Sequence, residues 1–258
     1  MIEADAKRSI IRMFHVHHNY GTKKALIDIT LDVSKNDFVF ITGPSGAGKT
    51  TLLKLLYLAE SVSEGQVLID GINLSRIPRK RIPFLRRKFG IIFQDYKLIA
   101  SRTVFDNVSL VLAAAGKKRR LIQKKVRSVL RLVGMEDRQN AFPPSLSGGE
   151  QQRVAVARAI IGDPKIILAD EPTGSLDEES AEVILDLLRG VHIRGATVII
   201  ATHDKAMMRR TGGHVLHLHH CSVNQVSNIA NSLFPPGGFP ATISRTPVFG
   251  NYLWLIAK

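Results

Sequence analysis

The chain has 258 residues, of which 45% are hydrophobic and 22% are charged, values typical of a globular protein that buries a core. This balance disfavours a disordered chain, and no run of about 18 apolar residues is present to span a bilayer. The formal net charge of +14 is concentrated, since residues 76–131 hold 17 of the 36 Lys and Arg residues but only two of the 22 Asp and Glu residues. This basic segment predicts a surface for nucleic acid or anionic lipid headgroups, with solvated helix faces as the alternative.

The first part of the chain predicts strands around a glycine-rich loop. Segments 10–17 and 26–33 alternate apolar and polar residues, as half-buried strands do. The apolar run FVFIT at 38–42 predicts a strand covered on both faces. We expect a helix from about Thr50 to Leu58 after the loop, and then a strand within EGQVLIDG at 64–71.

The second part predicts an inserted helical block followed by more strands. Residues 81–145 combine helical periodicity with dense positive charge, which favours a helical subdomain. KIILAD at 165–170, a helix from about Glu178 to Arg189 and TVIIAT at 197–202 restore a strand–helix–strand order. This order predicts an α/β fold with a parallel sheet.

The glycine-rich loop matches the phosphate-binding pattern G-x-x-x-x-G-K-[ST] over residues 43–50, between a predicted strand and a predicted helix. In this pattern backbone N–H groups surround phosphate oxygens, Lys49 reaches the β- and γ-phosphates, and the Thr50 hydroxyl binds Mg²⁺. We call residues 43–50 the P-loop. The residues expected to bind nucleotide here are Gly43, Pro44, Ser45, Gly46, Ala47, Gly48, Lys49, Thr50 and Thr51.

Acidic and polar residues follow three predicted strands. IILAD brings Asp170 to a strand end, where it is expected to hold Mg²⁺, and the adjacent Glu171 is expected to polarise the attacking water. Gln94 follows the strand pattern GIIF and is predicted to contact the metal or the water. His203 follows TVIIAT and is predicted to hydrogen-bond the γ-phosphate. Lys49, Gln94, Glu171 and His203 form the predicted catalytic set.

A second anion-binding pattern lies at 146–151, LSGGEQ. Ser147, Gly148 and Gly149 precede apolar residues at helical spacing, and the first amide groups of a helix have no acceptor within it. The chain thus carries two predicted phosphate sites about a hundred residues apart.

These motifs together resemble the nucleotide-binding domain of the ABC ATPase superfamily, and the resemblance covers about residues 10–220. It rests on the P-loop, Gln94, LSGGEQ, a strand ending in Asp170-Glu171, SLD at 175–177 and His203.

The resemblance implies a P-loop NTPase core with an antiparallel β subdomain and an inserted α-helical subdomain. It implies a domain over 9–220 that binds ATP and Mg²⁺ and hydrolyses ATP, with the helical subdomain at about 81–145.

The resemblance also explains the second phosphate site. Two such domains form a head-to-tail homodimer in the ATP-bound state, so that Ser147, Gly148 and Gly149 bind the γ-phosphate held by the partner's P-loop. Asp177 resembles the residue that crosses this interface. Tyr20 resembles the aromatic residue that stacks on adenine, with a place in a hydrophobic seam as the alternative.

Within the superfamily, four segments are most similar to the FtsE subfamily of cell-division ATPases: IPFLRRKFGIIFQDYKLI (82–99), RTVFDNV (102–108), LSGGEQQRVAVARA (146–159) and LADEPTGSLD (168–177). This resemblance implies a cytoplasmic ATPase at the inner face of the cell membrane. Its ATP-driven dimer closure would be coupled to an FtsX-like integral membrane partner in cell division and in the control of cell-wall hydrolases. The basic segment 76–131 would then face the membrane surface rather than nucleic acid. ATPases of lipoprotein release or macrolide export are the alternative, and a soluble nucleic-acid-associated ABC ATPase is a less favoured one.

The end of the chain departs from this pattern. HVLHLHHC at 214–221 alternates His and apolar residues, which predicts a strand with one wet face, with a metal site as the alternative. We expect residues 221–258 to form a loosely held tail, because FPPGGFP at 234–240 resists regular structure.

Overall fold

The computed structural model describes residues 9–219 and 221–229, with side chains as far as Ser222. Its strands are β1 (Ser9–Tyr20), β2 (Lys23–Ser34), β3 (Phe38–Thr42), β4 (Glu64–Ile69), β5 (Ile72–Asn73), β6 (Phe89–Ile92), β7 (Ile166–Asp170), β8 (Thr197–Ala201), β9 (Gly213–His219) and β10 (Ser222–Ile229). Its α-helices are α1 (Lys49–Leu56), α2 (Ile82–Arg86), α3 (Val104–Ala114), α4 (Arg119–Leu132), α5 (Gly148–Ile160), α6 (Glu178–Ile193) and α7 (Lys205–Thr211).

The central sheet has six strands in the order β10-β9-β3-β8-β7-β6. All neighbouring pairs are parallel except β9 and β10, which form an antiparallel hairpin at one edge. The apolar residues of β7 and β8 are buried on both faces of the sheet, as expected for parallel strands covered on both sides. The predicted α/β fold with a parallel sheet is confirmed.

A smaller antiparallel sheet, in the order β2-β1-β4-β5, lies on one side of the central sheet. Its buried residues share a core with α1 and with one face of the central strands. Asp70, in the turn after β4, links the two sheets: its Oδ2 accepts hydrogen bonds from Lys88 Nζ at 2.7 Å and Lys165 Nζ at 2.8 Å. Lys88 and Lys165 stand immediately before β6 and β7, so one carboxylate holds both strands to the smaller sheet.

Helices cover the opposite face of the central sheet. Side chains of α3, α4, α5 and α6 form a second core with the alternate residues of the same strands, so that Ile167 and Val198 point to this core and Ile166 and Ile199 to the first. The period-two alternation of strands therefore divides each central strand between two cores.

The predicted helical range 81–145 contains β6 as well as α2, α3 and α4. Strand β6 pairs in parallel with β7 and belongs to the central sheet. Gly90 permits this position, because a Cβ there would lie 2.4 Å from the carbonyl oxygen of Ala159 in α5. The boundaries of the helical subdomain stay a prediction.

The central sheet continues beyond the predicted domain end at residue 220. Strand β9 has the predicted strand pattern, with exposed His217 and His219 alternating with buried neighbours. Strand β10 then pairs with β9 as far as Ile229, where a loose tail was expected. Its sequence SVNQVSNI has no regular apolar alternation. Because the strand pairs through backbone groups, its side chains do not show the hydrophobic pattern from which a strand is predicted. The rest of the predicted tail, 230–258, lies outside the described residues.

Candidate active site

The predicted catalytic residues follow the carboxyl ends of four parallel strands. The P-loop follows β3, Asp170 ends β7 with Glu171 next to it, His203 lies two residues after β8, and Gln94 lies in the turn after β6. Because parallel strands present their carboxyl ends at one edge of a sheet, these loops share one side of the fold. The sheet therefore brings together the segments that carry the predicted site.

Glycine backbone geometry shapes the P-loop. Gly43 has φ 149°, Gly46 has φ 77° and Gly48, which caps α1, has φ 98°. A Cβ on Gly43 would lie 2.2 Å from the Leu218 carbonyl oxygen, so no other residue fits this close approach between the loop and β9. The loop thus presents backbone and the first amides of α1 where a phosphate would bind.

The Lys49 side chain folds back over the P-loop to which it belongs. Its Nζ donates hydrogen bonds to the carbonyl oxygens of Gly43 at 2.9 Å and Pro44 at 3.2 Å. The ammonium group is thereby held over the loop, close to the glycine backbone that shapes the cradle. This position suits a lysine that neutralises phosphate charge.

Thr50 and Asp170 form the candidate Mg²⁺ ligand pair. The Thr50 hydroxyl donates a hydrogen bond to the Asp170 carboxylate. Burial raises the pKa of Asp170 above its usual value, the Thr50 hydrogen bond opposes that rise, and the nearby Glu171 charge adds to it. A bound cation would stabilise this partly buried carboxylate in its charged form. Hydroxyl and carboxylate oxygens are the donors that Mg²⁺ prefers, so the residues present fit the ion.

Each carboxylate oxygen of Glu171 is within hydrogen-bond distance of a neighbouring side chain. The Thr202 hydroxyl donates to Oε2 at 2.9 Å, and His203 Nδ1 lies 2.7 Å from Oε1. The Glu171 side chain is 13% exposed, whereas that of His203 is 75% exposed. Glu171 also has φ 44°, a strained backbone value for a residue with a side chain, held by the hydrogen bond from its N–H to the Ala201 carbonyl at 2.8 Å. The carboxylate is therefore oriented before any ligand binds.

The turn after β6 is anchored by an arginine that the sequence analysis missed. Arg158, on α5, donates to the carbonyl oxygens of Tyr96 and Lys97, both at 2.7 Å. Tyr96 has φ 59° and Lys97 has φ 49°, so the turn that carries Gln94 is strained at both positions. Burial lowers the pKa of the Arg158 guanidinium. The only signal in the sequence is a charged residue between two alanines, Ala157 and Ala159, within a helix that is otherwise rich in apolar residues at this end.

Ser147 caps helix α5 through a reciprocal pair of hydrogen bonds. Its hydroxyl accepts from the Glu150 N–H at 3.2 Å, while its own N–H donates to Glu150 Oε2 at 2.8 Å. The hydrogen bond from the Ser147 backbone lowers the pKa of Glu150. Ser147 and Gly148 are exposed, so the start of α5 is open at the surface.

The two glycines let other elements approach the start of α5. A Cβ on Gly149 would lie 2.6 Å from the Ser180 hydroxyl, and one on Gly148 would lie 3.1 Å from the Tyr96 hydroxyl. The Tyr96 hydroxyl also lies 3.1 Å from the Ser175 hydroxyl. Tyr96 therefore touches the start of α5 and the turn that follows Glu171.

Asp177 and Tyr20 have partners within the chain. Asp177 caps α6, since its carboxylate accepts from both the N–H and the hydroxyl of Ser180, each at 2.8 Å. Tyr20, at the end of β1, is 42% exposed, and its ring packs edge-on against His18 at 4.6 Å between centroids. The contacts predicted for Asp177 across a dimer interface and for Tyr20 with adenine stay predictions.

Two further observations concern membrane-spanning helices and metal sites. Among residues 9–219 and 221–229, no helix is both long enough and apolar enough to cross a membrane. Within the same ranges, no three His, Cys, Asp or Glu side chains are grouped to hold a metal ion.

Comparison with known proteins identifies the family. The model of the ABC transporter family matches residues 26–174. The chain is 43% identical over 202 residues to the cell division ATP-binding protein FtsE of Streptococcus pneumoniae serotype 2, a match that covers 78% of this chain and 87% of that protein. It is also 43% identical over 216 residues to FtsE of Escherichia coli K12, covering 81% of this chain and 97% of that protein.

Solved structures agree with this result. A dimeric post-hydrolysis state of the ATP-binding cassette MJ0796, bound to ADP and Pi, matches with a TM-score of 0.78 and 33% identity over 84% of this chain and 98% of that one. A second dimeric structure of MJ0796, described as a bacterial ABC transporter cassette, matches with a TM-score of 0.79 and 34% identity over the same shares. This chain therefore belongs to the ABC transporter family and, within that family, to the FtsE group of proteins.

Proposed function

We propose that this protein is the ATP-binding and ATP-hydrolysing subunit of an FtsEX-type complex that acts in cell division. The observation that carries the proposal is the carboxylate of Glu171, held by Thr202 and His203 directly beside Asp170 and its Thr50 partner. The names of the FtsE relatives supply the cell-division context.

The P-loop binds the ATP phosphates in this proposal. Lys49 turns from the Gly43 and Pro44 carbonyls toward the phosphate oxygens, and the glycine backbone surrounds them. Thr50 and Asp170 would hold Mg²⁺, with Gln94 as a further ligand from the turn after β6. When bound, the ion neutralises charge on the phosphates.

Glu171 orients the attacking water. Each carboxylate oxygen already accepts one hydrogen bond, from Thr202 or from His203, which leaves lone pairs to accept a hydrogen bond from water. A carboxylate fixed in this way holds the water in line with the γ-phosphate and draws off its proton as the bond forms. His203, largely exposed, would contact the γ-phosphate from the same position.

The active form in this proposal is a homodimer, as in the dimeric MJ0796 structures. Ser147, Gly148 and Gly149 lie at the exposed start of α5 and would complete the ATP site of the partner subunit. ATP then joins the two subunits, and hydrolysis releases them, which makes closure a nucleotide-controlled switch.

The switch would act on an FtsX-like integral membrane protein, with the ATPase on the cytoplasmic face of the cell membrane. The lipoprotein-release and macrolide-export alternative is not favoured, because the curated relatives compared above are named as cell-division proteins. The same relatives disfavour a soluble nucleic-acid-associated ATPase.

Replacing Glu171 with Gln tests the proposal. The amide keeps the size of the side chain but accepts no proton, so we expect turnover to fall by about 100-fold or more while ATP still binds. ATP should then trap a dimer, measurable by light scattering. Glu179→Gln, at an exposed carboxylate in the first turn of α6, is the matched control and should behave as wild type. Wild-type turnover in the Glu171→Gln variant would refute the assigned role.

A further inference from the structure

Two basic runs that are distant in the sequence are connected by a hydrogen bond between residues close to their ends. Arg87, just after α2, donates from Nη2 to the carbonyl oxygen of Ala114, the last residue of α3, at 3.0 Å. The run before Arg87 contains RKR at 79–81, and the run after Ala114 contains KKRR at 117–120. We call these seven residues together the basic face; all of them are exposed.

The charge of the basic face is not neutralised, whereas four other cations of segment 76–131 are paired with carboxylates. Lys88 pairs with Asp70, Lys97 with Asp95, Lys125 with Asp163 and Arg131 with Glu136. No ion pair joins the side chains of 79–81 or 117–120 to another described residue. The only two acids of the segment are also occupied, since Asp95 pairs with Lys97 and Asp106 accepts from the Thr103 hydroxyl. Of the 17 cations in the segment, four are therefore paired with carboxylates, and the seven of the basic face are among those that are not.

An exposed apolar side chain stands next to each of the two basic runs. Phe84, on α2, is 62% exposed, and Leu121, directly after the KKRR run, is 40% exposed. The guanidinium of Arg87 lies over the Phe84 ring, 4.9 Å from its centroid. A patch of cations around exposed aromatic and aliphatic side chains is the composition that inserts at the boundary between lipid headgroups and acyl chains.

We propose that the basic face, with Phe84 and Leu121, binds anionic phospholipid directly, so that the ATPase touches the membrane surface independently of its integral membrane partner. This inference rests on the proposed function, which places the protein at a membrane. Lipid is favoured over nucleic acid because the proposed function places the protein at a membrane, and because Arg87 already occupies one of the two faces of the Phe84 ring on which a base could stack. The lipid phosphates neutralise the cations while Phe84 leaves water.

Vesicle co-sedimentation of the full chain tests this binding without any partner protein. Vesicles of phosphatidylcholine with about one quarter phosphatidylglycerol are compared with pure phosphatidylcholine at physiological salt. We expect binding only to the anionic vesicles, and weaker binding as salt rises. The test variant is Arg79→Glu/Lys80→Glu/Arg81→Glu, for which we expect a loss of about 100-fold or more in vesicle affinity. Phe84→Ala, which leaves the charge unchanged, should lose about threefold to tenfold.

A control variant separates local charge from net charge. Lys35→Glu/Lys205→Glu/Arg209→Glu changes the net charge by the same amount at exposed positions outside the basic face, and it should retain most of the binding. ATP hydrolysis in solution is measured for every variant and should stay at the wild-type rate.

The outcomes distinguish this inference from the proposed function. Equal binding to neutral and anionic vesicles, or equal losses in the test and control variants, would overturn the lipid site. Binding of duplex or single-stranded DNA at physiological salt through 79–81, without vesicle binding, would replace lipid by nucleic acid as the partner. A wild-type chain that binds anionic vesicles but hydrolyses no ATP would leave this site in place and overturn the proposed function alone.

Discussion

Arg158 connects helix α5 to the turn that carries Gln94, and replacing it with Met tests how much this connection contributes to stability. Met retains most of the apolar stem of the side chain but none of the donors. The variant therefore removes two charged hydrogen bonds of 2.7 Å and leaves the carbonyl oxygens of Tyr96 and Lys97 without them.

The magnitude follows from these two contacts. A hydrogen bond to a charged group contributes about 1.5 to 3 kcal/mol, and the Tyr96 and Lys97 carbonyls, which are not fully buried, can accept from water once the guanidinium is gone. Part of this loss is offset because Met escapes the desolvation that lowers the pKa of Arg158. We therefore expect the free energy of unfolding to fall by about 2 kcal/mol, a substantial share of the stability of an ordinary domain.

Urea unfolding followed by circular dichroism measures this change. Arg153→Met is the matched control, because Arg153 is a partly exposed arginine on the same helix, and its loss should change the free energy of unfolding by about 0.5 kcal/mol at most. Arg158→Lys, which keeps the charge but presents a single nitrogen, should fall between them. A loss below about 1 kcal/mol for Arg158→Met would show that the turn is held by other contacts.

Two further predictions concern the sheet connection and the P-loop. The lysines on Asp70 lower the pKa of its carboxyl from 3.8 to about 2, so the stabilisation is complete above pH 3.8 and is lost as the pH falls through about 2. After allowance for the exposed Lys165, Asp70→Asn should lower the free energy of unfolding by about 1 kcal/mol at pH 7. Urea unfolding at decreasing pH should show that the difference between wild type and variant becomes smaller. Gly43→Ala should cost about 2 kcal/mol or more, because its Cβ meets the Leu218 carbonyl oxygen. Gly46→Ala, with φ 77° but open space around its Cβ, should cost about 1 kcal/mol, and equal losses at both positions would contradict the steric explanation.

The elements of the core were predictable because their patterns are local. A buried apolar run followed by polar residues marks the end of a parallel strand, and this rule placed Asp170, Glu171 and His203 at β7 and β8 without any knowledge of the fold. The same reasoning places the P-loop between β3 and α1. These assignments need only short segments of sequence.

The contacts that support the site were not predictable, because they join distant positions. Arg158 and Tyr96 are 62 residues apart, and Thr202 reaches Glu171 across 31 residues. No periodicity links such pairs, and each residue type is common at surfaces. Strand β10 was missed for a similar reason, since an edge strand joins its neighbour through backbone groups that all residues carry.

One short turn links hydrolysis to the surface that a partner subunit would use. The Gly174 N–H donates to the backbone carbonyl of Glu171 at 3.2 Å, so the turn closes on the main chain of this residue. Ser175, the next residue, touches the Tyr96 hydroxyl, and Tyr96 in turn is held by Arg158 of helix α5. A series of contacts therefore runs from the Glu171 backbone to the Tyr96 hydroxyl beside Gly148, at the exposed start of α5. In the proposed mechanism, these direct contacts give a change at one predicted phosphate site a short physical route to the other.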